Sequence, residues 1–433
     1  MMRVIPGLLG LILVAAPAQA ETWVVAEVEP TLQTKVLTEA DADADADDPA
    51  IWVNRADLAR SLVVTAVKNG GVRVYDLAGQ TLQEWLPAED GRINNVDVVY
   101  GVAFPDGTTA DLVVGSDRGL DVIRIWKIDP ASATPLAEIT ATDAGRAFPT
   151  RYLAEGTEEN PLDDQNTVYG LTTWNDAGTV WIAGTQRSQP VVGLFRLETR
   201  ADGTAVAVLD HDFRVPAEYR GQDLFQESDD DPLKDWSPQF EGAVIDYTTG
   251  TLFAGQEDVG IWSVPVKGGT PELLYETRGA MGSGFSNPDS VISRDVEGLT
   301  IYYAVDGTKY LLASSQGGAH GDAPAPDAPF DDSFVVFDIT ERADRLVPLG
   351  AFRVAAAGAM DAVQESDGAD VLSMALPGFP NGLFITQDGY AGDLDNLDGE
   401  VSASNFKFVD WKSVADSFVP PLKVTPEADD PRF

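Results

Sequence analysis

The sequence predicts an all-β protein, a six-bladed β-propeller of small antiparallel sheets around a central channel, and three observations predict it. Helical periodicity is nearly absent along the 433 residues. One strand-turn-strand unit recurs six times, and each copy has a further strand-like segment before it. No Pro/Gly-rich linker divides the repeats, which argues against a two-sheet sandwich or two tandem barrels.

Taken in order, the chain opens with MMRVIPGLLGLILVAAPAQA, which combines Arg3, a short apolar core and a small-residue ending at Ala18 to Ala20. That is the pattern of a secretory signal peptide over 1–20, cut before Glu21, and not of a membrane span. Residues 21–433 are then expected to form a single exported domain, periplasmic or extracellular, with no membrane insertion. The six units fall at 61–79, 110–129, 179–198, 250–269, 309–340 and 381–411. Each has an apolar run ending in a small residue, a polar or glycine turn, and a second apolar run. The preceding segments are DPAIWVN, NNVDVVYG, NTVYGLTTW, EGAVIDY, EGLTIYY and LSMALPG. Two stretches read as inserted surface loops, QESDDDPLKDW (226–236) and DAPAPDAPFDD (322–332). The tail after Trp411 is placed where it would close the ring or fray.

Composition narrows the chemistry. A formal net charge of −41 makes nucleic acid and anionic membranes poor partners. With no cysteine there is neither a disulfide nor a thiolate nucleophile. His211 and His320 are the two histidines, too few for di-zinc chemistry and in no R-H-G setting for a histidine nucleophile. No G-x-S-x-G elbow and no phosphate-binding G-x-x-x-x-G-K-[ST] loop is present.

Oxygen chemistry remains. Five aspartates lie within the eight residues from Asp41 to Asp48, just before the apolar AIWV. An EF-hand loop fails there, because Ala46 stands where the turn glycine belongs and Trp52 where the bidentate glutamate belongs. Further carboxylates and amides precede or end predicted inner strands: Asp47, Asp48, Asn94, Asn95, Asp97, Glu241, Glu257, Asp295, Glu297, Gln316, Asp367 and Asp370. In a propeller such positions converge on one end of the channel, and hard oxygens without imidazole or thiolate favour Ca²⁺ over zinc or copper. Lys68, Arg118 and Arg187 occupy comparable turns, with Tyr169 able to add a hydroxyl. Cations among calcium ligands point to an anionic ligand carrying several phosphates or carboxylates.

The strings DADDPAIW, GRINNVD, VYGL, EGAVIDYTTGTLFAG, DVEGLTIYYAVDG and LLASSQGG, with NGLFITQDG and NFKFVDW later, resemble the β-propeller phytases. They run in order from Asp45 to Trp411. The resemblance implies a calcium-dependent phosphomonoesterase of the 3-phytase type, acting as a monomer on phytate or calcium phytate. Carried over by motif, Asp47, Asp48 and the carbonyls of Pro49 and Val96 would hold calcium near the first blade. Glu241, Glu257, Asp295, Glu297, Gln316 and Asp370 would ligate several further calcium ions. Lys68, Arg118, Tyr169 and Arg187 would bind substrate phosphates. Lys68, Arg118, Tyr169, Asp295 and Glu297 would form the catalytic group. The chain departs from the family pattern at Arg187 and Asn69, where lysines are usual, and in the long insertion 319–332. It also has ESDGADV where DGIDV is usual, which leaves Asp367 as the alternative to Asp370.

The implied chemistry is coherent, since calcium would neutralise phosphoryl oxygens and activate water with no covalent intermediate. Bound calcium would also reverse the local sign of a strongly acidic protein. Two competing readings are a calcium-dependent propeller lactonase or sugar-acid hydrolase, and a non-catalytic scaffold that uses calcium for stability. The first leaves Lys68, Arg118 and Arg187 without a task.

Overall fold

Runs of β-branched and aromatic residues buried on both faces form the strands, and polar turns end them. The computed structural model describes residues 24–148, 166–216, 218–219, 222–223, 239–279, 287–293, 295–316, 330–342, 344–391, 403–427 and 429–433. The leader 1–20, His320, the stretch 226–236 and residues 319–329 of the insertion lie outside the described residues.

Six antiparallel sheets stand in a ring. The first blade is built from Pro49–Trp52, Leu62–Ala66, Val72–Tyr75 and Thr81–Trp85. The second has Ile93–Ala103, Thr109–Asp117, Val122–Ile128 and Leu136–Glu138. The third has Val168–Asp176, Thr179–Gln186, Val191–Thr199 and Ala205–Arg214. The fourth has Phe240–Asp246, Thr251–Gln256, Gly260–Pro265 and Glu272–Glu276. The fifth has Leu299–Tyr303, Lys309–Ser315, Ser333–Asp338 and Pro348–Val354, and the sixth Ala369–Leu372, Leu383–Asp388 and Ala403–Asp410. The first strand of each blade touches that of its neighbours in cyclic order, so these six line the channel. Six apolar clusters fill the wedges between successive blades; one packs Trp52, Val64 and Val74 of the first against Val98, Val113 and Trp126 of the second.

Two details differ from the sequence expectation. The sixth inner strand is Ala369–Leu372, and LSMALPG mostly follows it: Pro377 and Gly378 break the chain into a turn in which Leu376 and Phe379 exchange backbone hydrogen bonds of 3.0 and 2.9 Å. Ring closure comes from the N-terminal side. Leu32–Gln33 pairs antiparallel with Ala403–Asp410 as the outer strand of the sixth blade, and Val25–Val28 lies parallel beside Pro348–Val354 of the fifth.

The tail neither closes the ring nor frays. The helix Trp411–Asp416, capped by Asp410, stacks Trp411 on Tyr302 at 4.3 Å between ring centroids. The last residues then return to the channel, where Arg432 lines its interior and Phe433 meets the Tyr100 ring edge-on at 4.8 Å.

Candidate metal and phosphate site

The N-terminal ends of the inner strands meet at one face of the ring, and each brings a polar side chain. These are Asp47 and Asp48 before the first strand, Asn94 and Asn95 in the second, Tyr169, Glu241, then Glu297 and Asp367 just ahead of the fifth and sixth. Turns between the second and third strands of successive blades add Lys68, Arg118, Arg187, Glu257 and Gln316. Convergence needs the backbones close. Gly242, directly after Glu241, packs so near the fifth blade that a Cβ there would stand 1.5 Å from the Glu297 carbonyl oxygen. Gly368 is as confined, its Cβ position 2.3 Å from Asp48 Oδ1.

Two groups of buried carboxylates result, Asp47 with Glu241 and Asp367, and Glu241 with Glu257 and Glu297. Within each group the facing oxygens lie within 4.8 Å of one another, and Glu241 belongs to both. Burial and then mutual repulsion push up the pKa values of Asp367 and Glu297. Asp47 is raised to about 7, foremost by burial, with Glu241 adding to the rise and Lys68 opposing it. Oδ2 of Asp47 and Oε2 of Glu297 are buried without a hydrogen-bond partner. Asn94 is wedged among the acids, donating to Glu241 Oε1 at 2.7 Å while its own Oδ1 accepts from Arg118 at 2.6 Å. Gln239 donates to Glu257 at 2.6 Å.

The cations ring this centre. Lys68 Nζ binds Asp45 at 2.7 Å and lies 3.7 Å from Asp47. Burial works to lower the Lys68 pKa, but Asp45, Asp47 and Asp367 together carry it above its ordinary value. Its backbone sits in the left-handed region, φ 45°, a conformation that an ordinary side chain seldom adopts outside functional turns. Arg118 lies 5.2 Å from the centroid of the Tyr169 ring. Burial, then Glu241, Glu257 and Glu297, push the Tyr169 hydroxyl far above its usual pKa and keep it protonated. Arg187 stands on the matching turn of the third blade, its Nε buried without a hydrogen-bond partner.

Other candidates fall elsewhere. Asp295, at φ 55°, is two residues before Glu297 but is not one of the five carboxylates, and its carbonyl accepts from the Gln316 backbone at 3.2 Å. Asp48, Pro49, Val96 and Asp97 line the channel below, a cavity of about 50 Å³ that is too small for a polyphosphate. Asp370 lines the same cavity and is already engaged. It accepts from the Ile51 backbone at 2.8 Å and from Arg432 at 3.1 Å, and Arg432 is held in turn by Asp430 at 2.9 Å. Of the two alternatives in ESDGADV, it is Asp367 that joins the acid cluster.

The acidic run is divided among several partners. Asp41 pairs with Lys35 at 2.6 Å, Asp43 accepts from Asn69, Asp45 takes Lys68, Asp47 enters the cluster and Asp48 the channel. Sequence reasoning missed Arg92, which donates to Asn69 Oδ1 at 2.7 Å and stands beside Arg118, and also Arg432.

Two sequence comparisons with known proteins agree. A family model described as Phytase matches residues 4–145 and 233–432. A curated 3-phytase of Bacillus subtilis (strain 168) is 29% identical over 391 residues, covering 89% of this chain and 84% of that protein. Among solved structures, a luciferin-regenerating enzyme matches with a TM-score of 0.43 and 9% identity over 86% of this chain and 94% of its own. Regucalcin of Agrobacterium tumefaciens, a calcium-binding protein, matches at 0.42 and 10% over 89% and 95%. Likeness at that level bears on no residue of the site.

Proposed function

This chain belongs to the phytase family, and from that premise we propose that it hydrolyses phosphomonoester bonds of phytate at a calcium centre built on Glu241. The observation that carries the reading is the pair of carboxylate groups sharing that residue, ringed by Lys68, Arg118 and Tyr169.

Calcium fits the residues present. Buried carboxylates that repel one another, with oxygens lacking hydrogen-bond partners, are an arrangement a divalent cation relieves, and all the donors are hard oxygens. Asp47, Glu241, Glu257, Glu297 and Asp367 would hold it, with Asp48 and the carbonyls of Pro49 and Val96 as a second set toward the channel. Bound there, calcium supplies positive charge to phosphoryl oxygens and makes water a better nucleophile.

The chain's own side chains do the rest. Lys68, kept charged by its acids, places an ammonium where negative charge grows on the phosphoryl group. Arg118 is oriented by Asn94 and by the Tyr169 face, and offers its fork to the same group. The Tyr169 hydroxyl stays protonated and so remains a donor. Arg187, one blade further round, grips a neighbouring phosphate.

Calcium phytate as the arriving form, a monomeric state and export to the periplasm or medium belong to the same proposal. The leader-like 1–20 supports export, and no helix among the described residues is long and apolar enough to cross a membrane. Release of inorganic phosphate from phytate tests the proposal. Release in calcium, loss in excess chelator and recovery on adding calcium back are expected. Undiminished release in chelator refutes the calcium centre, and no release in either medium refutes the activity.

A further inference from the structure

Asp47 and Asp367 meet across the seam between the first and sixth blades, neighbours that are not successive in the chain. Each acid sits just ahead of an inner strand of four residues, Pro49–Trp52 or Ala369–Leu372, the two shortest of the six. Strands this short need side chains to fix their places. Asp370 does so from below: one carboxylate oxygen accepts from the Ile51 backbone of the first blade at 2.8 Å, and the other from the Thr300 hydroxyl of the fifth at 3.1 Å. At a rise near 3.3 Å per residue, these ties lie about 10–13 Å along the strands from Asp367 and Asp47.

The segment from Asp430 to Phe433 fastens the same seam. Arg432 uses every arm of its guanidinium: Nη1 donates to Asp370 at 3.1 Å, Nη2 to the Val371 carbonyl at 3.1 Å and to Asp430 at 2.9 Å, and Nε to Asp430 at 2.9 Å. Phe433 takes hold of the other side. Its ring meets Tyr100 edge-on and lies 5.2 Å under Arg55, and the Tyr100 hydroxyl accepts from the Val53 backbone at 2.9 Å and donates to the Ile51 carbonyl at 3.3 Å. One short segment therefore grips the sixth blade with a charge and the first with a ring.

No slack separates this strap from the acids. A Cβ at Gly368 would stand 2.3 Å from Asp48 Oδ1 and 2.5 Å from Asp48 Cα, so the two blades touch at backbone distance, and packing this close transmits a shift instead of absorbing it. Asp47 and Asp367, with oxygens within 4.8 Å of each other, repel and press the seam open when no cation joins them. Arg432 bonds to neither of them and resists that pressure from the far side of Asp370.

We propose that Arg432 is a positioning residue of the metal centre, which with Phe433 straps the seam from below and holds Asp47 and Asp367 at metal-binding separation. This assignment rests on the calcium reading of the site and adds a coupling to it. Whatever factor the docked segment contributes to calcium affinity, calcium returns to the docking of the segment.

The test measures calcium affinity by calorimetry, activity on phytate against calcium concentration, melting temperature, and hydrogen exchange of residues 429–433 by mass spectrometry with and without calcium. In wild type, calcium should slow exchange of the segment about tenfold. Arg432→Met should weaken calcium binding and raise the half-activating calcium concentration about tenfold, with kcat at saturating calcium within about threefold. Arg432→Lys, which keeps charge but not the fork, should fall between the two. Phe433→Ala, which removes the ring and no charge, should shift calcium affinity the same way by about threefold. Phe195→Leu, a core truncation in the third blade away from the seam, should lower the melting temperature and leave calcium affinity within about twofold. Calcium affinity unchanged in Arg432→Met and Phe433→Ala, exchange indifferent to calcium, or an equal loss of affinity in Phe195→Leu overturns the assignment and marks Arg432 as merely structural. A wild type that binds no calcium overturns the calcium reading itself, before any variant is made, and the strap falls with it.

Discussion

Glu241→Gln separates charge from shape at the one carboxylate common to both acid groups. Glutamine keeps the outline and leaves Oε1 to accept the 2.7 Å bond from Asn94, so the negative charge is what disappears. In calcium-free protein that charge is a burden. Two unit charges 4.8 Å apart repel by about 3 kcal/mol at an effective dielectric of 20. Glu297 and Asp367 escape part of this by holding protons, which their raised pKa values favour, so roughly 1–3 kcal/mol of relief is reasonable. An unfolding entropy near 2 cal/mol/K per residue converts this, for a chain of this size, to a melting temperature about 1–3 °C higher in chelator.

With calcium the sign reverses. Losing a ligand carboxylate that raises the dissociation constant about a hundredfold removes about 2.7 kcal/mol of ligand stabilisation at saturating metal, or about 3 °C. Scanning calorimetry of wild type and variant, each with chelator and with calcium, should therefore show curves that exchange order. Turnover on phytate should fall by about two orders of magnitude or more. A shift of the same sign in both media, or turnover within about tenfold of wild type, refutes the shared-ligand argument.

Four further outcomes are expected. Lys68→Ala should lower kcat on phytate about a hundredfold and change KM less, and an unchanged kcat removes Lys68 from the reacting group. Asp367→Asn should abolish the calcium-dependent gain in melting temperature along with activity. Asp370→Asn should leave turnover within a few-fold but cost about 2 kcal/mol of stability, because Arg432 loses one of its two carboxylates and keeps Asp430, and the reverse pattern makes Asp370 the ligand. Calcium-free protein should melt higher at about pH 5 than at about pH 7.5. Burial, the largest cause in each case, raises Asp97 and Asp121 to about 6 and Asp47 and Asp332 to about 7. The folded state thus binds more protons than the unfolded chain from about pH 4 to 7, and its stability falls as pH rises through that window. A melting temperature that climbs over that range in chelator contradicts the assignment of these buried acids.

The inner and middle strands were legible because neighbouring blades bury both of their faces, which writes them as nearly continuous apolar runs. Outer strands such as Thr81–Trp85, mostly exposed, and the two-residue closing strand Leu32–Gln33 carry too little pattern to announce themselves. In the site, residue type was legible and partnership was not. Nothing local tells Asp370 that Arg432, sixty-two residues on, will occupy it. Yet one signal in the sequence does separate Asp367 from Asp370. Tyr169, Glu241, Glu297 and Asp367 are each followed by glycine, at 170, 242, 298 and 368. Those glycines let one inner strand pass against the next where their side chains must converge; at 242 even a methyl group would meet a carbonyl oxygen at 1.5 Å. Asp370 is followed by Val371, a residue that sits where backbones do not have to touch. Registering these four repeats on their glycines, rather than on their apolar runs, selects Asp367 from sequence alone. By the same argument, Gly368 marks the backbone contact that brings Asp367 to Asp47 and Asp48 across the seam between the last blade and the first.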